Sequence, residues 1–221
     1  MKIRGVSISA VISAIVLGAL PIGAASPDAE PSANVGLGAG STLWVEGRSN
    51  LHEFEARTSV ATVHVSRDPG QAAPANAAEL AAFVKANGVK SLDVEVPVTS
   101  LHSGKNGLDK NMWQDLRAAE APAIRFHLEH YQLAAPAGDT LGIQAEGTLS
   151  IAGKERPVSL AARVIRADSG LRLEGSQELR MTDFGIKPRT MMLGTLRVQD
   201  RVTVHYRFVL VPAAASEKRT D

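Results

Sequence analysis

The sequence predicts a mainly β protein whose antiparallel strands close into a barrel or pack as a sandwich. The clearest pattern runs from Ala123 to Arg166, where small or apolar residues alternate with polar ones in AIRFHLEHYQL and in GIQAEGTLSI. Period two over this length indicates strands with one apolar face and one solvated face. The linkers at 134–140 and 153–157 are short and turn-like. Because a parallel crossover needs a dozen residues or more, we expect neighbouring strands to run antiparallel.

The strands that come before this stretch are less regular. A first strand is predicted over Ser41–Ser49. Its facing is ambiguous, because either Trp44 or its two apolar neighbours can lie on the inner face of the strand. A turn follows at 50–53. The apolar positions then change face near Ala61, which predicts a β-bulge there.

Two short helices interrupt the strands. Residues 76–86 have apolar residues at spacings of three and four, and Asn76 is a suitable N-cap, so a helix is predicted there. Residues 89–101 return to period two, and Pro97 within them indicates a sheet edge or a bulge. A second helix is predicted over Leu108–Ala119, because its apolar residues form one stripe.

Further strands are predicted at 171–181, 193–198 and 202–210, with a tight turn between the last two. The total is about eight strands. Many inward positions are small or medium-sized, and the chain has only 2 Trp, 2 Tyr and 5 Phe. A filled barrel usually has bulkier side chains inside, so this composition favours an apolar cavity.

The start of the chain is typical of a secretory signal peptide. Lys2 and Arg4 precede an apolar run, and small residues at Gly23 and Ala25 suit cleavage after Ala25. The sequence therefore predicts export, with the periplasm of a two-membrane bacterium as the natural compartment. The chain has no Cys, so it has no disulfide bonds.

The chain divides into four predicted segments. These are a signal peptide at 1–25, a flexible lead-in at 26–40, one β-barrel domain at 41–212 and a disordered tail at 213–221. The lead-in is rich in Pro, Gly, Ala and Ser and has no period.

The charge and histidine patterns argue against several functions. With 24 Lys and Arg against 23 Asp and Glu, the chain has no basic excess that would attract nucleic acid or an anionic membrane. No stable membrane span is expected after signal cleavage. His127 and His130 are three apart in a predicted strand, so they should face opposite ways and not share a metal. No metal or other cofactor is expected.

Four segments in order resemble the polyisoprenoid-binding YceI-like family. They are GRSNLHEF from Gly47, LDKNMWQDL with APAIRF from Leu108, GTLSIAGKERPVSL from Gly147, and MTDFGI with LRVQDRVTVHYRF from Met181. The resemblance covers about 41–211. Two features depart from the family pattern. Residues 67–87, with a helix at 74–86, look like an insertion, and Arg189 stands where a second Pro is expected after Pro188.

The resemblance implies a lipocalin-like barrel whose apolar channel holds an isoprenoid lipid, such as a quinone or a polyprenyl chain. It implies a binding or carrier protein and not an enzyme. His52 is the candidate contact for the lipid head group. The predicted channel residues are Val94, Val96, Met112, Trp113, Phe126, Leu128, Ile143, Leu149, Leu160, Val164, Leu173, Val204, Tyr206 and Phe208.

Each candidate polar residue also has a structural interpretation. His52 can brace a loop, and Asp109 can cap a helix, where it meets the helix dipole. The loop at 102–107 can cradle a phosphate or act as a plain connector. The helix residues Met112 and Trp113 can form a lid on the channel or pack in the core.

Two other functions stay open at this stage. One is a filled-core barrel that acts as a protein-interaction or stress-response module without a lipid. The other is a hydrolase that uses His52 and Asp109, although no nucleophile or metal set accompanies them. The sequence also leaves open whether the chain forms a homodimer.

Overall fold

A computed structural model of the protein describes residues 31–135, 140–191 and 195–213. The predicted signal peptide at 1–25 and the tail beyond residue 213 lie outside the described residues. Within them the helices are α1 (Ala77–Lys85) and α2 (Asn106–Asp115). The strands are β1 (Val35–Leu37), β2 (Thr42–Ser49), β3 (Glu53–Thr58), β4 (Thr62–Arg67), β5 (Val89–Pro97), β6 (Ala123–Leu133), β7 (Thr140–Ile151), β8 (Lys154–Ala167), β9 (Gly170–Arg180), β10 (Thr190–Met191) and β11 (Leu196–Pro212).

The strands form one antiparallel sheet in the order β3-β2-β11-β9-β8-β7-β6-β5-β4, with β1 and β10 also paired to β11. The predicted mainly β, antiparallel fold with two short helices is therefore confirmed, with more strands than the eight expected. The β7–β8 hairpin turns at Ala152 and Gly153, whose φ angles of 52° and 76° match the twist of the flanking strands.

The two strands predicted at 193–198 and 202–210 form the single strand β11. The expected turn between them is wrong, because the strand absorbs residues 199–201 as an irregularity in its pairing with β2. Residues 192–194 lie outside the described part of the chain.

Residues 31–37 differ from the flexible lead-in predicted at 26–40. Val35 pairs with Pro212 of β11, while the Ala33 amide donates to the Val65 carbonyl of β4 at 2.7 Å. Ala33 and Val35 are buried. A segment too short to show a period can still form a strand, because its partners lie far away in the sequence.

The strands β3 and β4 follow each other in the chain but lie at opposite ends of the sheet order. We call the gap between them the seam. At one end the seam is covered by 31–33, where Ser32 bridges Ser66 of β4. At the other end His102 bridges Arg57 of β3, through backbone hydrogen bonds of 2.9 and 3.0 Å. Short irregular segments therefore complete the wall where the strands do not pair.

The two ends of the barrel carry different apolar clusters. We call the first the α1 end: Leu80 and Val84 of α1 pack with Val65, Leu141 and Leu171. We call the second the α2 end, where Phe184 and Ile186 pack with Ile151 of the β7–β8 hairpin, and Leu116 after α2 joins them. Each helix thus lies at one end of the barrel.

Helix α1 begins as the sequence predicts. The Asn76 side chain accepts hydrogen bonds from the Ala78 and Glu79 amides, both at 3.0 Å, and Glu79 bonds back to the Ala75 amide at 2.9 Å. This reciprocal capping satisfies amides at the start of the helix. No helix among the described residues combines the length and apolar character that crossing a membrane requires.

Three local expectations are wrong in detail. Helix α2 ends at Asp115, four residues before the predicted Ala119, and Arg117 takes a φ of 55° outside helical geometry. Pro97 is not on an edge strand, because β5 pairs with strands on both sides; it ends β5 beyond the last pair with β4, Thr62 with Glu95, so only β6 pairs with it there. Near Ala61 there is no bulge, because the chain crosses the seam there.

Candidate functional site: an apolar cavity inside the barrel

The inner faces of the strands enclose a cavity of about 200 Å³. Side chains from β1, β2, β4 to β9, β11 and α1 line it. Almost all of them are Leu, Val, Ile, Phe or Ala; the exceptions are Tyr131, Tyr206 and Gln177. One continuous hydrocarbon lining, drawn from ten elements, excludes a sandwich core as the description of this interior.

Most of the predicted channel residues lie on this lining. They are the residues that simple alternation puts on the inner face of each strand: Val94, Val96, Phe126, Leu128, Ile143, Leu149, Leu160, Val164, Leu173, Val204, Tyr206 and Phe208.

Met112 and Trp113 were predicted as channel residues, but they do not line the cavity. The Trp113 indole N–H donates to the Leu101 carbonyl at 3.0 Å, and its ring meets His102 edge to face at 5.6 Å. Trp113 therefore holds the segment that covers the seam. The apolar stripe of the predicted helix correctly indicated that one face of α2 is packed, but it did not show what that face packs against.

A bulge in β6 explains a residue that alternation misses. The register between β6 and β7 shifts between Leu128 and His130, so Leu128 and Tyr131 both line the cavity although they are three apart. The same bulge puts His127 and His130 on the outer face together, which corrects the prediction that they face opposite ways.

The two histidines nevertheless have separate partners. His127 Nδ1 lies 2.7 Å from Asp93 Oδ1, and His130 Nε2 lies 3.0 Å from Glu146 Oε2. Across 31–135, 140–191 and 195–213, no group of three or more His, Asp or Glu side chains is arranged to hold a metal ion.

The facing of β2 is decided by Trp44. Its ring stacks outside the barrel on His205 at 4.8 Å, and its indole N–H donates to Glu46 Oε1 at 3.1 Å. Leu43 and Val45 therefore face inward and line the cavity. The pattern of β2 alone could not show this, because the stacking partner is on β11.

Two further lining residues come from segments that the sequence placed outside the barrel. Leu37 belongs to β1 in the predicted lead-in, and Val84 belongs to α1 in the apparent insertion. For Leu37 nothing in the sequence indicated an inner position. For Val84 the apolar spacing of α1 indicated a buried helix face, but not that this face covers the cavity.

The cavity contains few polar groups, and both tyrosine hydroxyls already donate hydrogen bonds. Tyr131 donates to the Val84 carbonyl at 2.8 Å and Tyr206 to the Ala161 carbonyl at 3.2 Å. Burial raises the pKa of Tyr131 and raises the pKa of Tyr206 to about 12. Gly175 makes room for Tyr206, since a Cβ there would lie 2.3 Å from the hydroxyl.

Asp109 neither caps α2 nor meets His52. Its buried carboxylate accepts hydrogen bonds from the Ser103 hydroxyl and from the Ser103 amide at 2.7 Å, and it lies 3.2 Å from His102 Nδ1. The Ser103 side chain is the main cause of its lowered pKa, with the Ser103 amide and His102 also lowering it and burial opposing the shift. Asp109 therefore braces the loop.

This arrangement also decides between the other interpretations of the polar candidates. The Ser103 amide that a phosphate would need already binds a carboxylate, which favours the connector role for 102–107. His52 is exposed in the β2–β3 turn and is not on the cavity lining. The bonds that brace this turn come from the His52 backbone: the carbonyl accepts the Ser49 hydroxyl at 2.9 Å and the amide donates to the same hydroxyl at 3.1 Å, so they leave the role of the imidazole untested.

Arg189, the residue that departs from the family pattern, ties α2 to the segment before β10. Its guanidinium Nε lies 2.5 Å from Asp115 Oδ2, and its other nitrogens donate to the Asn111 side chain at 3.1 Å and to the Asn111 carbonyl at 3.2 Å. The substitution thus has a structural role at the α2 end.

An antiparallel barrel around one apolar cavity defines the class of lipocalin-like barrel proteins. The YceI-like domain matches residues 39–210, so the chain belongs to the YceI-like family. A search of curated proteins found no match.

Solved structures share this fold. BcnA from Burkholderia cenocepacia is 18% identical, with a TM-score of 0.57 over 78% of this chain and 97% of BcnA. A polyisoprenoid binding domain from Saccharophagus degradans, implicated in plant cell wall breakdown, is 12% identical, with a TM-score of 0.60 over 81% of this chain and 98% of that domain. At these identities the likeness is one of fold.

Proposed function

We propose that the protein binds an isoprenoid-type lipid without acting on it chemically, with the apolar chain of the lipid inside the barrel cavity. The observation that carries the proposal is the hydrocarbon lining, which is continuous through ten elements of the fold. Apolar surface removed from water contributes about 25 cal/mol per Å². A long hydrocarbon chain therefore gains affinity along its whole length and needs few polar contacts.

The hydrogen bonds of the polar lining atoms indicate that the cavity holds the apolar chain of the lipid and not its head group. The hydroxyls of Tyr131 and Tyr206 already have acceptors, and the Gln177 amide donates to the Glu178 carbonyl at 3.1 Å. A polar head group inside the cavity would lose its contacts with water and find few partners. The Saccharophagus degradans domain, described as polyisoprenoid binding, shares this fold and makes an isoprenoid the natural choice of chain.

The finer proposal is a periplasmic carrier for a quinone or a polyprenyl lipid, with no cofactor of its own. The apolar run and small residues before Ser26 support export. The balanced charge of the chain supports a ligand that is recognised through apolar contacts and not through a strong field.

The first test is native mass spectrometry, with organic extraction, of the protein purified from its own periplasm. A stoichiometric isoprenoid adduct is the expected result. A clean apo mass, from a protein that also refuses added quinone, would contradict the proposal and favour the filled-core interaction module.

A matched pair of variants tests the cavity itself. Ala145 lines the cavity, whereas Ala161 on the neighbouring strand is exposed on the outer face. Ala145→Phe should lower quinone affinity by about tenfold or more, because the ring occupies the channel. Ala161→Phe should leave affinity unchanged. Thermal unfolding of both variants separates lost binding from lost stability, since overpacking costs about 1–3 kcal/mol.

A further inference from the structure

A groove of about 730 Å³ lies at the α1 end, between α1, the start of β7 and the turn of the β8–β9 hairpin. Unlike the cavity, it has charged residues on its rim: Lys85 from α1, and Arg166 and Asp168 from the hairpin. Its size is within the range of about 300–1,000 Å³ that small-molecule sites occupy. The groove is therefore large enough, and polar enough, to hold a polar group.

The groove and the cavity meet at shared residues. Val84, Val164 and Leu171 line both of them. These three side chains are buried in the cluster at the α1 end, so they separate the cavity from the groove, and a lipid chain reaches the groove when α1 moves away from the hairpin. The residues at the junction are apolar, which suits the part of the lipid where the chain begins.

The rim carries two cations whose charges are not compensated locally. Within residues 31–135, 140–191 and 195–213, neither Lys85 nor Arg166 forms an ion pair or a side-chain hydrogen bond. On the outer wall, by contrast, Arg125 pairs with Glu95 on the adjacent strand at 2.9 Å. Among the groove residues that the structure describes, Asp168 is the one carboxylate, so the two cations outnumber it there.

We propose that this groove binds the head group of the lipid, and that the head group carries hydrogen-bond-accepting oxygens, as ring carbonyls or a phosphate do. Lys85 and Arg166 donate to these oxygens, since both side chains are donors only. The inference rests on the proposed lipid-binding function and extends it to the end of the barrel at which the head group lies.

Lys85 also has a simpler structural role, because a cation in the last turn of a helix interacts favourably with the helix dipole. That role would affect stability and would not discriminate between ligands. The test must therefore compare ligands that share a chain but differ in the head group.

The experiment measures the affinity of the purified protein for three probes: a polyprenyl phosphate, an isoprenoid quinone, and squalene, an isoprenoid hydrocarbon without a head group. The double variant Lys85→Ala/Arg166→Ala should bind the phosphate about tenfold more weakly and the quinone about threefold more weakly, because hydrogen bonds to charged groups are the stronger ones. Squalene affinity should not change. The control Arg163→Ala removes one positive charge from an exposed position on β8, three residues from Arg166.

Each outcome bears on one of the two proposals. If the wild type binds none of the probes, the lipid-binding function is wrong. If it binds them but the double variant loses all three equally or none of them, the function stands and the head-group site is overturned. An equal loss in Arg163→Ala would also overturn it. If the double variant loses affinity for the polyprenyl phosphate, and this loss becomes smaller with added salt, the head group is charged. If it loses affinity only for the quinone, the head group is a neutral carbonyl.

Discussion

The α1 end and the α2 end of the barrel are closed by different kinds of contact. At the α1 end a nine-residue helix buries Leu80 and Val84. The Tyr131 hydroxyl ties the helix to the wall through one hydrogen bond to the Val84 carbonyl. At the α2 end the Phe184 cluster is surrounded by polar contacts, including the pair between Arg189 and Asp115.

Further polar contacts strengthen the α2 end. Asp200 accepts hydrogen bonds from the Thr182 amide at 2.9 Å and from the Thr182 hydroxyl at 2.7 Å, and these bonds lower the pKa of Asp200. Asp109 holds the Ser103 loop on the same side. Opening the α2 end breaks these hydrogen bonds in addition to apolar contacts, whereas opening the α1 end breaks apolar contacts and the Tyr131 bond. We therefore expect the α1 end, where the groove lies, to be the more mobile of the two.

The largest expected effect on stability comes from truncating Phe184, the buried aromatic residue at the α2 end. Phe184 is 4% exposed, so Phe184→Ala should lower the free energy of unfolding by about 3–5 kcal/mol through lost burial and the cavity left behind. Urea unfolding measures this. A loss below about 1 kcal/mol would mean that the cluster does not stabilise the α2 end as described.

Leu80→Ala makes the corresponding change at the α1 end. Leu80 is 2% exposed, and we expect a loss of about 2–3 kcal/mol, together with faster hydrogen exchange confined to α1. Ala82→Ser, on the exposed face of the same helix, is the control. Exchange that accelerates equally in α1 and β11 would show that the helix does not open on its own.

Asp109→Asn tests the polar network at the α2 end. At pH 7 the variant should lose about 1–3 kcal/mol, because buried donors lose a charged acceptor. The folded-state pKa of Asp109 lies below its ordinary value of 3.8, so its stabilisation is present above that pH and is lost as the pH falls through the folded-state pKa. The difference between wild type and variant should therefore shrink in acid. Urea unfolding at pH 7 and pH 3, with exposed Asp183→Asn as the control, checks this; a constant difference would contradict it.

Tyr131→Phe removes the hydrogen bond between α1 and the wall. The expected loss is about 0.5–1.5 kcal/mol, with increased exchange in α1. Tyr206→Phe deletes a similar bond in the middle of the wall and should leave α1 exchange unchanged. If both variants loosen α1 to the same degree, Tyr131 is not a specific tether.

The smallest expected effect is a shift in the pH titration of the two tyrosines, followed by absorbance. Both tyrosines of the chain line the cavity, and burial raises the pKa of each. An absorbance titration should show little tyrosinate at pH 10 and a midpoint near 12 for Tyr206, assigned with the two Phe variants. Ordinary titration near pH 10 would mean that the cavity is hydrated at these hydroxyls.

Particular residues show how far sequence reasoning reached. Phe126, Leu149 and Phe208 were placed inside the barrel by alternation alone, because a strand that is buried on one face must repeat every two residues. Asn76 was identified as a cap because capping depends on residues within one turn. Tyr131 was missed, since one extra residue in β6 reverses the phase of everything after it.

The sequence by itself therefore determined the local quantities: the strand period of the long strands such as β7, the apolar face wherever that period is unbroken, and where α1 begins. Only the tertiary structure decided the non-local ones. The burial of β1 depends on Pro212 and Val65, the facing of β2 on His205, and the position of α1 over the cavity on Tyr131. These contacts join residues from 32 to 177 positions apart, and no period along the chain records a partner at such a distance.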